Sequence, residues 1–284
     1  MWSIIGSCIV IFGVIGGYLL ERGNLSIIVQ PVEMMIIFGA ALGALVTSAG
    51  KKTKDVLKAA VGVFTNKGIE KEDYFQYLSF FYEMAQVARK EGLLALEQHV
   101  DNPSESSVFQ KYEKIQKDKR ILDFMCDNIK LSTFVNMESK ELNSLMELEI
   151  DTILEEEEYP AQILTKIGDS LPGLGIVAAV LGVVITMGYI AESPEVIGHH
   201  VAVALVGTFS GILACYGFIG PIANSIEQHV AAKTCVFNVV RVCIIALVAG
   251  VSPAVLVEYG RRAVPPEERV AVAEIEEAFK NGGK

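Results

Sequence analysis

Residues 168–186 read GDSLPGLGIVAAVLGVVIT and open an uncharged run that is long enough to cross a membrane. From Leu171 to Ile190 there are 20 residues without a charge, the length that an α-helix needs to span about 30 Å of hydrocarbon. A second uncharged run, Val201 to Ile222, follows after a short segment, so the two predict a transmembrane hairpin. Pro172 and Pro221 each leave a backbone carbonyl without its helical donor, which predicts bends at both positions.

Two further apolar runs, Ile4 to Leu20 and Val32 to Ala49, predict an N-terminal hairpin joined by a short polar loop. The first run has neither a basic n-region nor a cleavage site, so it is interpreted as a membrane helix and not as a signal peptide. No strand-rich region is present. The predicted fold is all-α: a polytopic membrane protein with four transmembrane helices and a cytoplasmic helical lobe.

Charge sets the predicted orientation of these helices. Of the 24 Lys and Arg residues, 16 lie between Lys51 and Lys166, seven lie from Lys233 onward, and only Arg22 falls within a hairpin loop. The positive-inside rule therefore places both termini and the long central segment in the cytoplasm, with residues 21–30 and 191–200 on the other side. The net charge of −10 argues against nucleic acid as a partner and favours an acidic face toward a protein.

The soluble segments have helical patterns. Apolar residues at steps of three and four from Tyr74 to Ala88 predict an amphipathic helix. Further helices are expected at Ile121–Phe134 and Leu142–Leu154, the latter ending in the acidic run Glu155–Glu158. In the tail, Pro265 and Pro266 signal a helix start and Gly282 and Gly283 a helix end. The apolar run Cys243–Val257 is too short to span and is interpreted as a helix that packs on protein.

Catalytic, metal and cofactor chemistry have no support in the sequence. The five cysteines are scattered and show no CxxC spacing, so neither a disulfide framework nor a zinc site is indicated. His199 and His200 are adjacent, which does not place them on one helix face for shared ligation. No phosphate loop, nucleophile elbow or HExxH motif occurs, so we expect no enzyme activity, no metal and no cofactor.

The two C-terminal membrane runs contain no Asp, Glu, Lys, Arg or His. Because ion pathways normally depend on an intramembrane ionisable group, a titrating carboxylate would have to come mainly from another polypeptide. The hydroxyls of Thr186, Thr208 and Ser210 either line such a path or bond their own helix backbone, which is the commoner case. Asp169 is interpreted first as a helix N-cap and otherwise as a guide for cations.

Several other polar and small residues have two interpretations. Glu33 is expected at the membrane interface, just after Pro31. Arg89 and Glu97 either present opposite charges to a partner or form a solvated helix face; on one continuous helix they would lie about 12 Å apart. Glycine pairs four residues apart serve either internal packing or an oligomer contact; they are Gly13 and Gly17, Gly39 and Gly43, and Gly207 and Gly211.

Motifs along nearly the whole chain resemble one family, the A subunit of the bacterial flagellar motor stator, of the MotA type, within the group that includes TolQ and ExbB. The resemblance rests on GGYLLERGNL with QPVEMMIIFGAALGA, ARKEGLLALE with DNP, GDSLPGLGIVAAVLGVV, VALVGTFSGILACYGFIGPIA and PAVLVEYGRR. Together these stretches are highly specific, whereas one apolar segment alone is not.

The resemblance implies a torque generator in the bacterial inner membrane. Five A subunits surround a B-subunit dimer whose aspartate carries the ion, and the cytoplasmic lobe pushes the rotor switch protein of the C-ring. The implied partners are thus the B dimer, the rotor, other copies of this chain in a homopentamer, and membrane lipid, with no nucleic acid.

The family's functional positions carry over by alignment of the motifs. In ARKEGLLALE, Arg89 and Glu97 match the rotor-facing charges, and Glu149 is a weaker match in a less similar segment. Pro172 and Pro221 match the two functional prolines, and Thr208 matches the path hydroxyl. Asp169 lies at the cytoplasmic mouth of the third membrane helix by its position in the chain, not by a family match. Ala179 stands where sodium-driven relatives tend to carry threonine, which favours protons. A relay role for Thr186 departs from the common pattern.

Other functions fit the chain less well. TolQ- or ExbB-like channels that energise the outer membrane have one membrane helix before the large cytoplasmic segment, whereas this chain has two. A solute carrier would show inverted repeats, and the two hairpins are unlike in sequence. A passive scaffold is allowed by composition alone. The expected domains are an N-terminal hairpin (1–49), a cytoplasmic helical domain (50–167), a second hairpin (168–222) and cytoplasmic C-terminal helices (223–284).

Overall fold

The computed structural model describes residues 2–65, 68–134 and 137–281, which form helices and turns without a β-strand. The chain folds into two compact units, each made of two separate stretches of sequence. Unit 1 comprises Met1–Lys67 and Glu157–Gln228, and unit 2 comprises Gly68–Glu156 and His229–Lys284. The all-α prediction is confirmed. The four expected domains, with boundaries after residues 49, 167 and 222, stay a prediction.

Unit 1 contains the membrane helices. Its first half holds α1 (Trp2–Leu20), the short α2 (Leu25–Ile28), α3 (Pro31–Ala49) and α4 (Thr53–Thr65). Its second half holds the C-terminal part of α9 (Ser139–Met187), all of α10 (Pro194–Ala214), a π-helical segment at Cys215–Ile219 and the start of α11 (Gly220–Val248). Among the described residues, four helices are long and apolar enough to cross a membrane, which confirms the predicted number.

The helices of unit 1 expose apolar side chains that a water-soluble protein would bury. In α1, which has no buried residue, Trp2 is 82% exposed and Phe12 77%. In α3 the buried residues recur at every fourth position, from Glu33 through Ile37 to Ala49, so one stripe faces protein and the rest faces outward. This distribution fits helices whose remaining surface is solvated by lipid.

Unit 2 is a helical lobe around one apolar core. It is built from α5 (Lys71–Glu91), α6 (Glu97–Asp101), α7 (Glu113–Lys117), α8 (Lys119–Phe134), α12 (Pro253–Ala263), α13 (Val272–Asn281) and the adjoining parts of α9 and α11. The apolar stripe predicted from Tyr74 to Ala88 is the buried face of α5, except that Ala88 is half-buried, and the structure adds Phe80 to this face. Phe80 packs 4.6 Å from Phe109, ring centroid to centroid. The amphipathic helix is confirmed.

Several helix boundaries differ from the sequence prediction. The acidic run Glu155–Glu158 does not end a helix, because α9 continues through it as one helix of 49 residues. Residues 194–200, expected in a loop, form the first turns of α10, since Ser193 and Pro194 supply an N-cap position and a proline at N1. In the tail, Pro265 lies in a turn and the helix begins only at Val272. Gly282 and Gly283 lie outside the described residues.

The apolar run Cys243–Val257 is two helix ends and not one helix. Gly250 has φ +68°, a conformation that side chains with a Cβ rarely adopt, and it separates α11 from α12. Cys243, Leu247 and Leu256 on the two sides of this break are buried in the core of unit 2. The expectation that this run packs on protein is confirmed, and its continuity as a helix is wrong.

Candidate functional site

In unit 1, α9 and α10 approach so closely that their glycines have no room for a side chain. A Cβ on Gly175 would lie 2.7 Å from the Gly207 carbonyl oxygen, and one on Gly182 would lie 2.8 Å from the Ala204 Cβ. A Cβ on Gly211 would collide with the Leu171 carbonyl oxygen. The pair Gly207 and Gly211 thus serves internal packing. A Cβ on Gly13, Gly17, Gly39 or Gly43 would meet no atom within 4 Å in the described chain.

This helix contact brings together two of the candidate ion-path residues. The Ala179 backbone nitrogen lies 3.2 Å from the position of a Gly207 Cβ, and the Thr208 Cα lies 3.2 Å from that of a Gly175 Cβ. Within the described ranges, the Thr208 hydroxyl has no hydrogen-bond partner. The buried Ser210 hydroxyl also lacks one there. The Thr208 hydroxyl, on a half-buried side chain, is therefore free to bond a species outside the chain, whereas the Ser210 hydroxyl is enclosed by protein.

Thr186 shows the other behaviour of a membrane hydroxyl. Its side chain is buried and donates to the Gly182 carbonyl oxygen at 2.8 Å. A hydroxyl that already bonds its own helix has spent its only donor. The structure therefore places Thr186 at the same helix contact as Gly182, without a free donor with which to relay a proton, although its oxygen can still accept a hydrogen bond.

The two candidate prolines lie where α9 meets the end of α10. Pro172 lacks the N–H that would bond the Gly168 carbonyl, and a Cβ on Gly168 would lie 3.2 Å from Ile219 Cγ2 and 3.9 Å from the Gly220 nitrogen. Ile219 ends the π-helical segment, and Pro221 follows as the second residue of α11. Two prolines and a π segment therefore lie within one contact region, where they weaken the backbone hydrogen bonding of α9 and of the helix that continues from α10 into α11.

Asp169 is not a helix cap. It lies inside α9, thirty residues after the first residue Ser139, so the N–H groups that follow it already have helical carbonyl partners. The capping interpretation is wrong because the soluble helix runs on into the membrane helix without a break. Asp169 is exposed. Glu33 is only 8% exposed and lies in the first turn of α3, so the expected interfacial residue is shielded by protein.

Unit 2 separates the two charges that the sequence placed on one helix. Gly92, with φ +90°, ends α5 after Arg89, a short 3-10 turn follows, and Glu97 opens α6. The 12 Å spacing that assumed a continuous helix is therefore wrong. Arg89 is exposed, and in the described ranges neither Arg89 nor Glu97 has an ion-pair partner.

Glu149 has a different environment from these two charges. It is half-buried on α9 and accepts a hydrogen bond from Asn128 Nδ2 at 2.9 Å. Asn128 is buried and also donates to the Phe124 carbonyl oxygen at 2.9 Å. The Glu149 carboxylate thus satisfies a polar group of α8, and its charge is less available than that of Arg89.

Polar residues that the sequence did not single out hold unit 2 together. Arg241 of α11 binds Glu147 at 2.6 Å and Asn143 at 2.7 Å, both on α9. His99 Nδ1 lies 2.8 Å from the buried Ser106 hydroxyl, which also accepts from the Val108 and Phe109 backbone nitrogens. The Arg241 cluster has no local sequence signal, because its members meet only in the folded chain. The second cluster is local, since His99 lies seven positions before Ser106.

Charge also stabilises the end of α12. The Glu258 carboxylate accepts hydrogen bonds from Arg261 and Arg262, each at 2.7 Å from the guanidinium Nε. These bonds lower the pKa of Glu258 to about 2. The pKa of Tyr112 shifts in the opposite direction. Burial raises it, and the Tyr112 hydroxyl donates a hydrogen bond to Glu83 at 3.1 Å.

Known proteins share this sequence and architecture. Residues 4–92 match the family described as motility protein A N-terminal, and residues 115–237 match the MotA/TolQ/ExbB proton channel family. Motility protein A of Salmonella typhimurium is 38% identical over 278 residues, covering 98% of this chain and 94% of that protein.

Two solved structures have the same fold. The C. jejuni MotAB structure matches with a TM-score of 0.78 at 21% identity, covering 95% of this chain and 98% of that chain. The flagellar MotAB stator complex from Bacillus subtilis matches with a TM-score of 0.77 at 23% identity and the same coverage. With its four membrane-length helices, the chain is a multi-pass inner-membrane protein. It belongs to the motility protein A family, the A subunits of the bacterial flagellar stator, within the MotA/TolQ/ExbB proton channel family.

Proposed function

We propose that this chain forms an ion channel with a B-type partner subunit that supplies the ion-binding aspartate. The observation that carries the proposal is the uncharged stretch of α9 and α10, whose close contact presents the free Thr208 hydroxyl and no ionisable group. A path that must pass charge through hydrocarbon needs a titrating group, so a second polypeptide has to provide it. The structural relatives contain both MotA and MotB, which supports such a partner.

The conducted ion is a proton. Ala179 lies at the α9–α10 contact, where a threonine would add an oxygen ligand, and sodium binding favours several oxygen ligands. Five copies of the chain around a B dimer, as the resemblance implies, would place five such contacts around the partner's helices.

Unit 2 lies in the cytoplasm and pushes the rotor switch protein, with both termini on the same side of the membrane. The concentration of Lys and Arg in residues 51–166 and 233–284 supports this orientation. Exposed Arg89 and half-buried Glu97 are the charges available to the rotor, whereas Glu149 contributes indirectly through Asn128. Asp169, exposed on α9, would draw cations toward the membrane part, and lipid would cover the outward faces of α1 and α9.

A channel that energises the outer membrane, as in TolQ and ExbB, is not favoured. The chain has two membrane-length helices before unit 2, and residues 4–92 match the N-terminal part of motility protein A.

The direct test is rotation. Flagellated cells that lack their own stators are given this chain and a B partner, and their swimming speed is measured in sodium-free buffer with and without a protonophore. We expect swimming that the protonophore stops. Swimming that requires added sodium would refute the proton assignment and keep the stator; immobility under both conditions, with the complex present in the membrane, would refute the stator function for this pair.

A further inference from the structure

A cavity opens beside Arg89 in unit 2, between the end of α5 and the turn that joins α11 to α12. Its volume is ≈ 400 Å³, and its lining includes Ala85, Ala88, Arg89, Leu93, Val251 and Ser252. The two alanines lie three residues apart on α5, so their small side chains leave the space empty. We refer to it as the Arg89 cavity.

The Arg89 cavity has an apolar wall and a positive rim. None of its lining residues is a carboxylate, and Arg89 is exposed without an ion-pair partner in the described ranges. Ser252 is the N-cap of α12 and makes no side-chain cap hydrogen bond. The first residue of α12, Pro253, has no N–H, so the unpaired donors of this helix begin only at Ala254, and Arg89 supplies the positive charge that attracts a carboxylate to the cavity.

An exposed ion pair alone would hold a partner only weakly. Contacts between solvated charges contribute little and are screened by salt, whereas specific interfaces depend on an apolar side chain that fills a pocket, with charges at its rim. The Arg89 cavity offers both in one place. Leu93 is 36% exposed at its edge and supplies apolar surface that an incoming side chain would cover.

We propose that the Arg89 cavity receives a segment of the rotor protein that carries an apolar side chain next to a carboxylate. The apolar side chain enters between Ala85, Ala88 and Leu93, and the carboxylate pairs with Arg89. The inference rests on the proposed rotor contact. It extends that contact from a pair of charges to a cavity that also accepts an apolar side chain. It also assigns contact residues that carry no charge.

The first test compares the same substitution at two neighbouring positions. Leu93→Glu places a carboxylate at the cavity, where it competes for Arg89 and removes apolar wall. Leu94→Glu adds the same charge one residue away, at a side chain that is 68% exposed and does not line the cavity. Both side chains are exposed enough for the fold to tolerate the change. The measurement is the stall torque of tethered cells that co-express the B partner.

We expect Leu93→Glu to lower the stall torque at least about fivefold and Leu94→Glu to stay within about twofold of the unsubstituted chain. Equal effects of the two variants would overturn the cavity proposal while leaving the rotor function intact. Failure of the unsubstituted chain to turn any motor would instead refute the proposed function itself, so the two failures are distinguishable.

The second test needs no destabilising change. A photoreactive benzoylphenylalanine replaces Leu93 in one strain and, as the control, Val272 in another; Val272 is 48% exposed on α13 of the same unit. After irradiation of swimming cells, an adduct with a rotor protein should form at position 93 and not at 272, and the captured peptide should contain an apolar residue beside Asp or Glu. Rotation without an adduct at 93, or equal adducts at both positions, would overturn the proposal.

Discussion

Among single residues, the candidate contacts differ more in whether they already have a bonding partner than in their charge. Arg89 is exposed without an ion-pair partner in the described part of the chain, whereas Glu149 already accepts a hydrogen bond from Asn128. The Thr208 hydroxyl is free there, whereas Thr186 bonds Gly182. Two charged residues, and likewise two threonines, thus differ in whether their polar groups are already bonded within the chain.

Charge reversal at Arg89 should therefore impair rotation. We expect Arg89→Glu to reduce stall torque by about tenfold, because a favourable contact with a carboxylate becomes repulsive. Lys90→Glu is the matched control, since Lys90 is an exposed neighbour with the same charge outside the Arg89 cavity. Assembly with the B partner, measured by co-purification, should be unchanged in both. If Arg89→Glu abolished assembly, the residue would be structural and not a rotor contact.

The ion pairs of Glu258 with Arg261 and Arg262 predict that the free energy of unfolding depends on pH. Since the pKa of Glu258 falls from 4.5 to about 2 on folding, its contribution is present above pH 4.5 and is lost as pH falls toward 2. Glu258 is partly exposed, so the contribution is about 1 kcal/mol at most. In the purified complex, Glu258→Gln should lower Tm at pH 7, and the difference should shrink between pH 4.5 and 2.5. A difference in Tm that stays constant for Glu258→Gln over this pH range would contradict the prediction.

At the scale of helices, close approach limits what α9 and α10 can accept. Gly211→Ala should destabilise the complex by about 1–3 kcal/mol, because the added Cβ meets the Leu171 carbonyl oxygen and one helix has to move. Gly173→Ala on α9 is the control, since a Cβ there meets nothing within 4 Å. Thermal unfolding of the purified complex measures the difference. Equal Tm values for the two variants would show that the helices separate easily.

Substituting Pro172 should impair the coupling of ion flow to rotation without impairing assembly of the complex. Pro172→Ala restores the helical hydrogen bond to Gly168 and stiffens α9 where it meets Ile219. We expect rotation below about a tenth of normal with the complex still formed. Pro160→Ala, a second proline inside α9, removes a similar backbone defect away from that contact and should rotate normally. Normal rotation of Pro172→Ala would remove the hinge function.

The sequence predicts helix type and number better than helix ends. The stripe on α5 is a signal of burial in protein, and the structure buries it. The apolar runs are signals of lipid contact, and the structure forms them into helices of membrane length with largely exposed apolar side chains. Helix ends depend on competing terms. The acidic run at Glu155–Glu158 consists of good helix formers, and α9 continues through it and through Pro160, whereas Gly92 and Gly250 stop helices through positive φ.

The candidate site was predictable only where the signal is local. The family motifs locate Thr208, the two prolines and Arg89. The pairing of Arg241 with Glu147 joins residues 94 positions apart, and the Arg89 cavity joins residues of α5 with the α11–α12 turn. Such neighbours appear only once the chain has folded. Local motifs therefore revealed single residues but not their partners.

At the scale of the whole molecule, the orientation in the membrane can be measured by labelling. Because the positive residues favour a cytoplasmic unit 2, a cysteine at exposed Ser193 should react with a membrane-impermeant maleimide in intact cells, and one at exposed Ser104 should react only after lysis. Exposed Cys8 is first changed to serine; the remaining cysteines are buried or half-buried. The opposite labelling pattern would invert the proposed topology.

The five-residue π segment at Cys215–Ile219 has a consequence for evolution. A π turn holds about one residue more than an α turn, so it behaves as an insertion that the helix has absorbed. Deleting one residue there would turn the segment into a regular α turn and would leave the later side chains of α11 in place, so Phe237 would keep Phe124, its ring partner at 5.2 Å. Related chains should consequently tolerate the loss of one residue within these five positions without a change in the side chains that α11 buries.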